Sequence, residues 1–200
     1  DSDTEITRLD LGNEVVYFGE ILSSQKIFGT FNGHGVVIAA DKTKYIGMWK
    51  MGFLQSGVII SPDGAVKLGT FDCEKMDGFG IQVNKNGDSI YIGEHKSGMM
   101  DGKGALLFKN KDFYEGQFND EAMNGIGKIT TYSGDVIKGE WDCNEFLRRI
   151  VDDSHDDLEV DLSISLNMNY TPDLLKKIII EYVEQFVNDG FGEFGFDLIQ

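Results

Sequence analysis

The sequence predicts a mainly β chain: a single-layer antiparallel solenoid of β-hairpins, followed by a C-terminal strand and an amphipathic α-helix. Three observations predict it. A unit of aromatic, glycine, aromatic and Gly-x-Gly recurs with a period of about 23 residues. Residues flanking each glycine alternate with period two. Beyond residue 147 the repeat stops and a different pattern begins.

The unit reads Tyr114-Glu115-Gly116-Gln117-Phe118 with Gly125-Ile126-Gly127, Tyr91-Ile92-Gly93-Glu94-His95 with Gly102-Lys103-Gly104, and Lys67-Leu68-Gly69-Thr70-Phe71 with Gly78-Phe79-Gly80. Aligned on the first glycine, the copies place Gly19, Gly47, Gly69, Gly93, Gly116 and Gly139 at spacings of 28, 22, 24, 23 and 23. The long first interval comes from extra residues before Gly33-His34-Gly35, as a lengthened hairpin loop would produce. In a strand, positions two residues either side of the glycine share its face. One column is then Tyr17, Tyr45, Lys67, Tyr91, Tyr114 and Ile137, and the other Ile21, Trp49, Phe71, His95, Phe118 and Trp141. The intervening glycines give the rings bare backbone to settle on. Gly-x-Gly is read as the opening of each second strand, where the backbone bends.

The chain has 25 glycines against 2 prolines and a net charge of −16. Phosphate recognition requires clustered Lys and Arg, so nucleic acid is not the expected partner. No run of eighteen apolar residues is present to form a spanning helix. The first residue is Asp, which suggests a fragment or a processed chain. Cys73 and Cys143 each follow a repeat glycine by four residues. Each hairpin advances the array by roughly 10 Å, so copies three repeats apart are too distant for a disulfide. Free thiols are expected, consistent with a reducing compartment.

The sequence divides into an N-terminal flank (1–14), the repeats (15–146) and an acidic strand–helix segment (147–200). The last carries half the net charge. Leu158, Val160, Leu162, Ile164, Leu166, Met168 and Tyr170 alternate with polar residues, as in a half-buried strand. A helix follows: Thr171 is its N-cap, Pro172 sits in its first turn, and Gly190 stops it. Leu175, Ile178, Ile179, Tyr182, Val183 and Phe186 form its apolar stripe. Leu175, Ile179, Tyr182 and Phe186 either pack on the chain's own repeats or dock a partner.

No catalytic constellation is legible, and no enzyme is expected. His34, His95 and His155 do not combine with a cysteine at metal-ligand spacing. The acids of 152–161 lack a calcium loop's central glycine and closing glutamate. No Gly-x-Gly is followed by the Lys-Ser/Thr of a phosphate loop. No metal and no cofactor are expected.

The repeated Tyr-x-Gly-x-Trp/Phe and Gly-x-Gly over residues 15 to 146 resemble the MORN-repeat (membrane occupation and recognition nexus) family, in about five copies and a partial sixth. Lys67 and His95 depart from its aromatic positions, and Ser56-Gly57-Val58 blurs one glycine pair. The resemblance implies a non-enzymatic structural or protein-interaction scaffold that binds a helix or extended peptide along the repeat groove. It further implies a cytoplasmic place in a cytoskeletal or axonemal assembly, with homodimerisation as an option. The groove candidates are Tyr45, Trp49, Phe71, Tyr91, His95, Tyr114, Phe118 and Trp141. The alternative is a peripheral membrane, phosphoinositide-binding or membrane-contact module. The acidic charge disfavours it unless Lys42, Lys44, Lys103, Lys109 and Lys111 gather on one face.

Overall fold

A computed structural model describes residues 4–22 and 31–151. The acidic run, the alternating strand, the helix with Leu175, Ile179, Tyr182 and Phe186, and most of the insertion before Gly33 lie outside the described residues. Thirteen strands run β1 (Thr4–Asp10), β2 (Val16–Leu22), β3 (Phe31–Ile38), β4 (Lys44–Lys50), β5 (Phe53–Ile60), β6 (Val66–Asp72), β7 (Lys75–Val83), β8 (Ser89–Lys96), β9 (Met99–Phe108), β10 (Phe113–Asn119), β11 (Ala122–Thr130), β12 (Val136–Asp142) and β13 (Glu145–Arg149). They form one sheet in chain order. Every described strand pair is antiparallel, and extensive contacts join only sheet neighbours. This is the expected single-layer solenoid. The sheet is wider than residues 15 to 146, because β1 pairs with β2 across Thr4–Asp10 and β13 reaches Arg149. Neither edge strand carries the aromatic–glycine signature that marked the others.

Gly-x-Gly does not open a strand. It sits in mid-strand: β7 begins at Lys75, three residues before Gly78, and β9 at Met99, three before Gly102. His34 likewise lies within β3. The second strand bulges here. Gly116 pairs with Gly127 and Phe118 with Met123, so Gln117 alone faces the stretch Asn124 to Ile126. The first glycine of the pair carries the bulge at positive φ: 97° at Gly78, 105° at Gly102 and 84° at Gly125. The second unit is shorter. There Met48 pairs with Ser56 and Trp49 with Leu54, which leaves one extra residue. Ser56 therefore occupies a paired position, where glycine is not required.

Two-residue turns join the hairpins at one edge, with both residues left-handed: Cys73-Glu74 (φ 47°, 67°), Asp120-Glu121 (46°, 70°) and Cys143-Asn144 (47°, 70°). These angles match the right-handed strand twist. Successive turns are tied together. Gly98 N–H donates to the Met76 carbonyl at 2.7 Å, Glu121 N–H to Met100 at 3.0 Å and Asn144 N–H to Met123 at 3.0 Å. Both cysteines are free and exposed at turn positions, as their spacing requires.

Candidate functional site

The aromatic face is built by a device that repeats three times. Tyr17, Tyr91 and Tyr114 lie flat over the paired glycines of their hairpins. A Cβ on Gly93 would stand 2.5 Å from the Tyr91 oxygen, and one on Gly116 2.5 Å from that of Tyr114; the partner glycines Gly104 and Gly127 are closer still. Each hydroxyl donates to the carbonyl three residues on: Tyr17 to Glu20 at 2.6 Å, Tyr91 to Glu94 at 2.9 Å and Tyr114 to Gln117 at 3.1 Å. Those residues sit opposite the bulge, where the ladder gives them no partner on the return strand of their hairpin. Burial pushes all three hydroxyls well above the usual phenol range, so they stay protonated donors.

The same residues cap the other strand with their side chains. Glu20, Glu94 and Gln117 accept the backbone N–H of His34, Lys103 and Ile126, the middle residues of Gly-x-Gly, at 3.1, 2.8 and 3.1 Å. The acid or amide after the repeat glycine thus satisfies a donor that the bulge frees. Sequence reading passed over this position. Its signal was the run of Glu20, Glu94, Gln117 and Glu140 at equivalent places.

Of the sequence-derived groove residues, Trp49, Phe71, Tyr91, His95, Tyr114, Phe118 and Trp141 are buried, while Tyr45 is half-buried. They gather into two clusters. Trp49 and Phe71 pack with Leu54, Ile59 and Met76, with Tyr45 beside them. Tyr91, Tyr114, Phe118 and Trp141 pack with Met123. Edge-to-face contacts run through the second cluster: Tyr91–Phe118 at 4.9 Å, Tyr114–Phe118 at 5.2 Å and Tyr114–Trp141 at 5.6 Å.

Lys67 is the break between the clusters. No tyrosine covers Gly69 and Gly80 in its hairpin; the Met76 methyl does so instead. His95 stands next along, its ring edge-on to Tyr91 at 5.0 Å, its Nδ1 3.2 Å from the Gly93 carbonyl and its Nε2 without a partner. Burial, aided by the nearby Lys67 charge, holds the imidazole below its usual pKa. Tyr45 also differs from the other tyrosines: backbone, not its ring, lies against Gly47 and Gly57. Beside Tyr45 lies a cavity of about 250 Å³ on the aromatic face. Its walls include Phe31, Val37, Tyr45, Trp49 and Ile59, and Glu74 lies at its margin.

Three of the five lysines named for anionic lipid are engaged within the sheet surface. Lys42 pairs with Glu14 at 2.8 Å, Lys109 pairs with Asp88 at 2.6 Å, and Lys111 lies 4.9 Å over the Tyr132 ring. Among the described residues no group of three metal-ligating side chains converges. No helix there is long and apolar enough to cross a membrane.

Residues 91–113 and 114–136 match the family described as MORN repeat. The chain is similar to rat alsin, 37% identical over 107 residues, and to human alsin at the same identity and length. Each match covers 48% of this chain and 6% of the relative. The chain therefore spans a small fraction of the curated relatives it matches. MORN repeats are generally protein- or membrane-interaction modules, and the two matched copies span β8 to β12 of the sheet.

Proposed function

We propose that this MORN-repeat chain is a non-enzymatic scaffold that binds a helix or extended segment of a protein partner along its aromatic face, within a larger cytoskeletal or axonemal assembly. The observation that supports it is the opening at Tyr45. Elsewhere the column tyrosines fold over glycine and consume the surface they create. Around Tyr45 and Trp49 the face keeps an apolar cavity of about 250 Å³, large enough for one or two side chains of a docked segment. The exposed margin carries Glu74, which favours a segment with a basic residue beside its apolar anchor. The location in a cytoskeletal or axonemal assembly is the part contributed by the family resemblance alone.

The test is affinity capture with crosslinking mass spectrometry, using the full chain and its Tyr45→Arg variant, with circular dichroism as the check on the sheet. Crosslinks at Lys44, Lys50 and Lys75 in the wild type, lost with the partner in Tyr45→Arg, support the reading. A partner retained at full yield by a folded Tyr45→Arg protein overturns it.

A further inference from the structure

The sheet has a second apolar face, opposite the aromatic one, which nothing described lies over. The residue before each repeat glycine points there, and so does its cross-strand partner: Ile46 pairs with Val36 and Val58, and Ile92 with Ile81 and Ala105. These side chains are almost sealed, Val36 and Ile46 at 1% exposure, Val58 at 2% and Ile92 at 0%. Strand side chains stand off the sheet, and lateral neighbours alone leave their tips open to water. All extensive contacts among the described strands are between sheet neighbours, so no described element forms a second layer. Burying an aliphatic stripe of this kind stabilises the fold, and leaving it bare would make it an aggregation site.

We infer that residues 171–190 of this chain lie as a helix across that stripe, along the line from β2 to β9. The dimensions agree. Eight strands at ~4.8 Å spacing make a stripe of ~34 Å, and a 20-residue helix is ~30 Å long. Five of the eight strands contribute two residues to the stripe, such as Val66 with Leu68 and Ile90 with Ile92, and β2, β4 and β9 contribute one each, which is the width of one helix. The extent agrees as well. From β10 onward the same positions become Glu115, Lys128 and Lys138, so the apolar lane stops. The reach suffices: β13 ends at Arg149, and residues 152–170 can extend ~60 Å, further than the ~53 Å from β13 back to β2. The apolar stripe that the sequence predicts over residues 171–190, Leu175, Ile178, Ile179, Tyr182, Val183 and Phe186, is broader than one solvent-facing helix needs. The inference concerns the face that the partner reading does not use, so either can fail alone.

Neighbouring residues on opposite faces make the test. In the full chain, with Cys73→Ser and Cys143→Ser, single cysteines are placed at Leu175, Ile179, Tyr182 or Phe186. Each is combined with Leu68→Cys on the proposed face or Lys67→Cys on the aromatic face, then oxidised mildly. The expected result is a bridged monomer, seen as a gel shift, with at least one Leu68→Cys pair and with no Lys67→Cys pair. Bridges through Lys67→Cys, bridges only between two chains, or no bridge in any pair overturn the inference. Ile178→Asp with Ile179→Asp gives a second readout. It should raise dye binding to exposed apolar surface and speed amide exchange in β4 to β8. Unchanged dye binding and exchange count against the helix as the cover.

Discussion

At the residue scale, one tyrosine hydroxyl and a pair of facing glycines carry three of the hairpins. Tyr114→Phe keeps the ring over Gly116 and Gly127 but abandons the Gln117 carbonyl, so it should cost about 1 kcal/mol in a denaturant melt. Gly104→Ala is expected to cost more, about 2–3 kcal/mol, because its methyl would displace the Tyr91 ring from its seat. A smaller loss from Gly104→Ala than from Tyr91→Phe would mean that the hydroxyl's hydrogen bond matters more than the ring's seat on glycine. His95 makes stability pH-dependent in a defined direction. Its folded pKa is lowered, so the unfolded chain binds the proton more readily. Its contribution is full above about pH 6.5, the unfolded value, and is lost as pH falls through and below it. His95→Phe should flatten that acid limb of the pH–stability curve; an unchanged limb would place the titration elsewhere.

At the element scale, each hairpin from β4–β5 onward is a strand, a left-handed two-residue turn and a bulged return strand. Gly125→Ala meets two obstacles, a φ of 84° and the Gln117 side-chain oxygen, which occupies the place a Cβ would take. It should destabilise by about 1–3 kcal/mol, measured by thermal or denaturant unfolding. The turns offer the opposite experiment. Cys73 and Glu74 hold positive φ without being the residues that do so best. Cys73→Asn with Glu74→Gly should stabilise by about 0.5–1 kcal/mol, and a loss would mean that Cys73 or Glu74 makes a contact the turn depends on. Tyr-x-Gly and Gly-x-Gly were legible in the sequence because residue type and spacing alone state the strand face. The bulge was not, because Gly78 looks the same in a strand opening as in a mid-strand kink, and only the pairing of Gly69 with Gly80 and Phe71 with Met76 tells them apart.

At the scale of the whole molecule, the sheet is a one-dimensional array in which each strand depends on its two neighbours. Strands β8 to β10 have neighbours on both sides and share the aromatic cluster of Tyr91, Tyr114 and Phe118, whereas β1 and β13 each have one described neighbour. Amide exchange should therefore be slowest in β8 to β10 and fastest in β1 and β13. Uniform protection would show a single all-or-none unit instead. The polar break of Lys67, Gln82 and His95 divides the aromatic face into two clusters, which makes it the natural border between two unfolding segments.

The sequence by itself determined the architecture, the period and the identity of the aromatic face, because period-two alternation and recurring glycine are local and survive without any knowledge of contacts. It also located the exceptions, Lys67 and His95. Tertiary structure decided which of those side chains are spent on packing: Tyr91 and Tyr114 are consumed over their own glycines, whereas Tyr45 borders an open cavity. It alone gave meaning to the residues between the signature positions. Glu20, Glu94 and Gln117 became caps of the bulge, and Val36, Ile46, Val58 and Ile92 became a second buried face. Those roles depend on what lies across the strand and above the sheet, and neither is written in the order of residues along one chain.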